Sequence, residues 1–302
     1  MRVTALAGGV GGAKLLVGLD RCTDDLTAVI NTADDVEIYG VHVSPDVDIC
    51  TYWLAGIADI DRGWGIAGDT FNLVDAWGAL GADNWFSLGD RDFATCLYRM
   101  QRLAEGLTPT AVTDEIRRAL GVRARLMPMS DQPVRTKVQT TDGRTLGFQE
   151  YFVKERQEPP IAEIRFSGIA DAKPGPEVLG AIRAAEVVIL CPSNPSVSIG
   201  PILALPEVRP TLEEHPRVIA VSPIVQRAAL KGPADKMLQA AGIEVSATGV
   251  ASLYRDFVDI FVIDARDEHE AVDIEAMGLE VIVTDTIMTD HDASERLAGA
   301  LL

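Results

Sequence analysis

Val3-Thr4-Ala5-Leu6-Ala7-Gly8-Gly9-Val10-Gly11-Gly12-Ala13-Lys14 opens the chain, and Leu26-Thr27-Ala28-Val29-Ile30-Asn31-Thr32-Ala33-Asp34-Asp35 follows one helical length later. Val3 to Leu6 reads as a short buried strand that runs into Gly8-Gly9. Ala13 to Leu19 reads as a helix, which places the glycines in a strand-to-helix turn. Leu26 to Ile30 is a second buried strand. A strand, a helix and a second apolar strand make a βαβ start, whose parallel sheet needs cover on both faces.

Further along, Val187 to Cys191, Val218 to Val221, Phe261 to Ile263 and Val281 to Val283 are apolar runs of strand length. Helical patterns lie between and after them, near 176–185, 233–241, 249–257 and 292–301. This alternation predicts an α/β, Rossmann-like, mostly parallel doubly wound sheet. Between the two halves the pattern changes. Residues 34–68 have weak periodicity and many Asp, Gly and aromatic residues, a kind of segment that is often functional. Helices are expected near 70–80, 92–105 and 110–120. Two alternating runs, Val134–Thr140 and Thr145–Val153, flank Asp142-Gly143 as a hairpin, with Ile161–Phe166 as a third strand. The expected organisation is a core of residues 1–54 and 171–302, with residues 55–170 as an inserted smaller α+β domain.

The 302 residues are 47% hydrophobic, enough for a substantial core, and carry a net charge of −18. That balance argues against nucleic-acid binding, which needs a basic footprint. It leaves room for a nucleotide, whose phosphates bind backbone N–H groups and a bridging divalent cation. Cys22, Cys50, Cys96 and Cys191 form no C-x-x-C pair, so they read as reduced thiols of a cytoplasmic protein. No signal-peptide layout follows Met1, and no apolar run is long enough to span a bilayer.

The glycine turn suits an anion: glycines let the backbone approach closely, and a helix N-terminus offers free N–H groups. It has no standard name. Framed from Gly8, a G-x-x-x-x-G-K-[ST] loop fails at the second Gly and at the hydroxyl; framed from Gly9, G-x-G-x-x-G fails at Lys14. Asp34, Asp35, Asp46 and Asp48 follow the second strand, at the sheet edge where ligands of open α/β sheets bind. Four carboxylates there suit a hard cation such as Mg²⁺, although turn chemistry also favours Asp. Ser87-Leu88-Gly89-Asp90-Arg91-Asp92, Ser193-Asn194-Pro195-Ser196-Val197-Ser198, Ser222-Pro223 and Lys231-Gly232-Pro233 are further polar loops in comparable places. No histidine is paired with a Ser or Cys nucleophile signature, which disfavours a covalent hydrolase.

These strings, in order, resemble the 2-phospho-L-lactate transferase family of coenzyme F420 biosynthesis. Pro128-Met129-Ser130-Asp131, Phe148-Gln149-Glu150, Ser222-Pro223-Ile224 and Asp285-Thr286-Ile287-Met288 extend the resemblance over nearly the whole chain. The resemblance implies a Rossmann-like fold with an inserted domain, a Mg²⁺ requirement and a homodimer. It implies transfer of a phospholactyl or phosphoenolpyruvyl group from a guanosine diphosphate ester to the ribityl hydroxyl of 7,8-didemethyl-8-hydroxy-5-deazariboflavin, with release of GMP. Phosphoryl-type transfer needs positioning and charge neutralisation rather than a protein nucleophile. On this reading a metal held by Asp35 and Asp48, with Asp46 or Asp34 assisting, clamps the diphosphate, and one of these carboxylates takes the hydroxyl proton; Asp35, Asp46 and Asp48 form the expected catalytic set. Gly8, Gly9, Gly11, Gly12, Ser193, Asn194, Ser198 and Ser222 are expected at the guanosine, and the acidic loop with Ser87, Asp90, Arg91 and Asp92 at the deazaflavin; Lys14, Asn31 and Lys231 are further expected ligand-binding residues, Lys231 as a cation for a phosphate. Many relatives carry His where this chain has Cys96, so position 96 is left out of the site. One rival is a nucleotide-sugar-binding regulator of related fold, which resembles D-D-G-G-S-S-G where this chain reads Asp34-Asp35-Val36-Glu37. Another is a nicotinamide-dependent oxidoreductase, which the failed fingerprint at Lys14 disfavours.

Overall fold

A computed structural model describes residues 1–302. The chain runs β1 (Arg2–Ala7), α1 (Gly9–Cys22), β2 (Asp25–Ile30), β3 (Val36–Ile38), β4 (Val41–Val43), α2 (Pro45–Leu54), α3 (Asn72–Ala79), α4 (Asp90–Ala104) and α5 (Pro109–Ala119). It continues with β5 (Arg125–Pro128), β6 (Arg135–Thr140), β7 (Thr145–Gly147), β8 (Ile161–Ser167), α6 (Val178–Ala184) and β9 (Val187–Leu190). The remainder is α7 (Gly200–Leu203), α8 (Val208–Glu213), β10 (Val218–Val221), β11 (Ile224–Val225), β12 (Ala228–Ala229), α9 (Ala234–Ala240), α10 (Ala247–Tyr254), β13 (Ile260–Asp264), α11 (Ala271–Glu275), β14 (Glu280–Thr284) and α12 (His291–Leu301).

Seven strands form the main sheet in the order β14-β13-β10-β9-β1-β2-β5, and every neighbouring pair is parallel. The predicted doubly wound α/β architecture is therefore present. Its central strands are apolar almost throughout because both faces are covered. Along β1, Val3, Ala5 and Ala7 face one core with Leu15, Leu16 and Leu19 of α1, while Leu6 faces the other core with Val188, Leu190 and Ala220. From the β1–β9 pair the chain winds outward in opposite directions, to β2 and β5 on one side and to β10, β13 and β14 on the other. This is a topological switch point, and it opens a crevice beyond the carboxyl ends of β1 and β9.

Several elements differ from the sequence expectation. Helix α1 starts at Gly9 rather than Ala13, so the glycines form its first turn. Gly9 has φ of +63°, a left-handed geometry that favours glycine, and a Cβ on Gly11 would run into the carbonyl oxygen of Pro192. The segment after Asp35 is ordered as the β3–β4 hairpin and helix α2. The second arm of the predicted hairpin ends at Gly147, and Glu150–Lys154 turns into a π-helix that buries Tyr151 and stacks Phe148 on Phe152. The three-stranded antiparallel sheet β7-β6-β8 is present. Strand β5, inside the 55–170 stretch, pairs with β2 and forms an edge of the main sheet. No helix is long and apolar enough to cross a membrane.

Candidate active site

A cavity of about 760 Å³ lies at the switch point. Its floor is the first turn of α1 and the loop after β9, which are fastened together. The Gly8 N–H donates to Ser193 Oγ at 3.2 Å, and the Ser193 hydroxyl donates back to the Gly8 carbonyl at 2.8 Å. A Cβ on Gly8 would strike Asp46 Oδ2 and come within 2.7 Å of Ser198 Cβ. The glycines thus serve close packing of α1 against its neighbours, and they bring the open N–H end of a helix to the cavity.

One wall is acidic. Ser44-Pro45 starts α2, with Pro in the first turn and Asp46 and Asp48 following it, as helix starts favour. Two residues apart on a helix, these carboxylates have separate partners. Asp46 accepts the Gly9 N–H at 2.9 Å and the Asn31 side-chain N–H at 2.9 Å. Both Asp48 oxygens are bound by the buried guanidinium of Arg99, with the Nη1 bond at 3.0 Å. Asp35 does not line the cavity: the Ser44 hydroxyl donates to it at 2.7 Å, and His42 Nε2 lies 2.9 Å from its other oxygen. Asp34 does line the cavity, and its buried Oδ1 has no hydrogen-bond partner. Asp92 lines it too, with one oxygen held by the Tyr52 hydroxyl at 2.8 Å.

The cavity also has a cationic lining. Lys14, Arg62 and Lys231 are the only Lys or Arg side chains lining the cavity. Lys14 donates to the Met288 carbonyl at 2.7 Å, and the Lys231 ammonium lies 3.4 Å from the Arg62 carbonyl. The Arg62 guanidinium sits over the Trp64 and Phe71 rings. Phe86, Leu88 and the stacked Phe148 and Phe152 give the cavity an apolar lining as well.

Burial sets the proton affinities here. It pushes Asp34 well above the usual carboxylate range, with the Asp46 charge adding to it. It lifts Asp46 to about 6, against the pull of its Asn31 and Gly9 bonds. Asp92 rises to about 7, through burial first and then the Asp48 charge. Burial also raises Asp48, although Arg99 opposes the rise. Lys14 falls below its ordinary value through burial and then the nearby Lys231 charge. A buried carboxylate with an unpartnered oxygen beside a second carboxylate is costly unless it gains a proton or a cation. Asp34 and Asp46 therefore fit a hard divalent cation with oxygen ligands. Asp48, Asp92 and Cys96 also bring ligand atoms within 4.8 Å of one another. That group suits Mg²⁺ less well, because Arg99 occupies Asp48 and a sulfur ligand suits softer metals.

A family model described as 2-phospho-L-lactate transferase CofD matches residues 3–295. The chain belongs to this family. Among its relatives, the 2-phospho-L-lactate transferase of Methanosarcina mazei is 40% identical, covering 97% of this chain and 96% of that one. That of Methanopyrus kandleri is 40% identical, over 100% and 97%. The phosphoenolpyruvate transferase of Streptomyces griseus is 41% identical, over 100% and 98%. In fold, the chain is similar to a UPF0052-family protein from Bacillus halodurans, with a TM-score of 0.67, 15% identity and 99% and 98% coverage. This is an enzyme family, and the chain is a transferase of the α/β class.

Of the residues expected at the site from sequence, the fold gathers Gly8, Gly9, Gly11, Lys14, Asp34, Asp46, Asp48, Ser87, Asp92, Ser193, Asn194, Ser198, Ser222 and Lys231 around the cavity. Gly12 lies behind it, where an added Cβ would come within 2.8 Å of Ser193 Oγ. Asn31 stands one bond back, on Asp46. Asp90 and Arg91 lie away from it: Asp90 binds Thr70, Asn72 and the Leu73 N–H at the start of α3, and Arg91 donates to the Ala67 carbonyl. The sequence reading does not include Tyr52, Arg62 and Trp64, which line the cavity, or Arg99, which binds Asp48. Asp92, Cys96 and Arg99 are spaced by four and three, one face of a helix, and are the buried residues of α4. An Arg on a buried stripe with an Asp was the available signal. Arg62 and Trp64 lie in irregular chain that carries no periodicity to read.

Proposed function

We propose that this chain transfers a phospholactyl or phosphoenolpyruvyl group from a guanosine diphosphate ester to the ribityl hydroxyl of 7,8-didemethyl-8-hydroxy-5-deazariboflavin, releasing GMP and giving coenzyme F420-0 or its dehydro form. The observation that carries this reading is the buried Asp34, whose Oδ1 has no hydrogen-bond partner, beside Asp46, in one cavity with a helix N-terminus and aromatic side chains. Donor and acceptor have matching parts. A diphosphate suits the first turn of α1 and the cations Lys14, Lys231 and Arg62. A planar ring system suits Phe86, Phe148 and Phe152. Ser193, Asn194, Ser198 and Ser222 border the phosphate end and are assigned to the guanosine.

Mg²⁺, when bound, would neutralise charge on the diphosphate, and Asp34 and Asp46 are the residues assigned to hold it. Asn31 and the Gly9 N–H orient Asp46 for that role. Asp35 supports the β4–α2 junction through His42 and Ser44. Residues 55–170 are assigned as a smaller inserted domain that supplies the aromatic side chains, with β5 returned to the main sheet. The protein is proposed to act in the cytoplasm as a homodimer, as the family resemblance implies.

The test is incubation with the deazaflavin, Mg²⁺ and lactyl- or enolpyruvyl-diphosphoguanosine in turn, followed by mass analysis. A product heavier than the deazaflavin by the phosphoacyl group, with equimolar GMP, supports the reading. No product with either donor counts against it.

A further inference from the structure

Four buried carboxylates line the cavity, Asp34, Asp46, Asp48 and Asp92, and a fifth buried one, Asp35, does not reach it. Their lone pairs are unequally committed. Asp35 has both oxygens engaged, by Ser44 and His42. Asp46 has both engaged, by Gly9 and Asn31. Asp48 has both engaged, by Arg99, the one buried Lys or Arg in the chain. Asp34 has its Oδ1 unpartnered, but it sits beside Asp46 and is matched to the cation. Asp92 remains. Its Oδ1 is pinned by Tyr52, and its Oδ2 accepts no bond from the protein while the residue lines the cavity.

We propose that Asp92 is the catalytic residue that takes the proton from the acceptor alcohol, with Tyr52 as the positioning residue that aims it. The inference rests on the transfer reaction proposed above. As the alcohol oxygen forms its bond to phosphorus, its proton passes to Asp92 Oδ2. The phosphorus–oxygen bond to GMP breaks, and its electron pair leaves on the GMP phosphate. Asp92 then releases the proton to solvent. The location fits this step, because Asp92 lies on the first turn of α4, beside Ser87 and Leu88 of the cavity lining assigned to the acceptor.

Its surroundings also poise it. Tyr52 and Asp48 face it from α2, Arg99 and Cys96 from α4, and Asp69 from the preceding loop, where it accepts the Asp92 N–H at 3.1 Å. Burial and the Asp48 charge together place its pKa at about 7, where a general base works best. The Asp48–Arg99 pair keeps the guanidinium off Asp92, because both Asp48 oxygens are bound to it.

The experiment compares the wild-type chain with Asp92→Asn and Tyr52→Phe in steady-state turnover of deazaflavin, Mg²⁺ and a guanosine donor from pH 5 to 9. In Asp92→Asn, kcat is expected to fall roughly 10²- to 10⁴-fold. KM for both substrates is expected to change by less than about threefold, because the lost interaction belongs to the transition state. The acidic limb of the kcat profile is expected to disappear with the carboxylate. In Tyr52→Phe that limb is expected to move upward, because the ionised carboxylate loses a donor. Should Asp92→Asn fail to fold by thermal melting, Tyr52→Phe decides alone: an unmoved limb overturns the proposal. An Asp92→Asn enzyme that keeps the limb, or more than about a third of kcat, also overturns it. If the wild-type chain itself makes no product, the transfer reading fails and the proton acceptor with it. A failure confined to the variants touches Asp92 alone.

Discussion

At the scale of the residue, the Asp48–Arg99 pair shows how much of the acidic wall is fixed by one cation. Both side chains are almost fully enclosed, at 6% and 5% exposure. Removing one partner of such a pair leaves an uncompensated buried charge, which typically costs 3–5 kcal/mol, whereas replacing both is often neutral. Arg99→Met is therefore expected to lower the unfolding free energy by about 3–5 kcal/mol. Asp48→Asn combined with Arg99→Met is expected to recover most of that in urea denaturation. Asp92 makes a separate prediction about pH. Its folded pKa of about 7 lies above the ordinary value of 3.8, so the native state binds the extra proton between them. That contribution to stability is fully present below about pH 4 and is lost as pH rises through about 7. The melting-temperature difference, wild type minus Asp92→Asn, is expected to fall steadily from pH 5 to pH 8. A flat difference would contradict the buried carboxylate.

At the scale of the element, the crossing of α1 and α12 depends on Gly18. A Cβ there would overlap the Ser294 carbonyl and approach the Glu295 N–H at 3.0 Å. Because backbone cannot step aside as a flexible side chain can, Gly18→Ala is expected to cost about 1–3 kcal/mol, read as a lower denaturation midpoint. The Phe148–Phe152 stack makes a functional prediction. Its rings are 5.6 Å apart and 5° from parallel. Phe152→Ala is expected to raise KM for the deazaflavin about 2- to 10-fold, the worth of one aromatic contact, with the guanosine donor unaffected. Both elements also show where sequence reading succeeds and fails. The strands of the main sheet were legible because fully buried strands are apolar runs bounded by turns. Helix α2 was not, because the two carboxylates in its first turn lack an apolar periodicity, although Ser44-Pro45 marked its start. Tyr151, Phe152 and Val153 have strand propensity and predict strand where the π-helix stands after β7, and tertiary burial of Tyr151 overrides that propensity.

At the scale of the whole molecule, the winding order brings distant segments together. Glycines at residues 8–12, acids at 34–48, aromatic residues near 148–152 and polar loops at 193–198 and 231 meet because β1 and β9 are neighbours with opposite onward winding. The chemistry of the site was legible as residue types at carboxyl strand ends, since a parallel sheet must present those ends together. The division of labour among the carboxylates was not. Whether an Asp holds a cation or an arginine depends on side-chain partners such as Arg99, 51 positions from Asp48, which no local pattern encodes. The most direct test of the account is anomalous scattering from Mn²⁺ in crystals grown with GDP and the deazaflavin. A single strong peak between Asp34 and Asp46, next to the diphosphate and the first turn of α1, is the predicted result. A peak among Asp48, Asp92 and Cys96, or GDP bound away from the glycine turn, would contradict it.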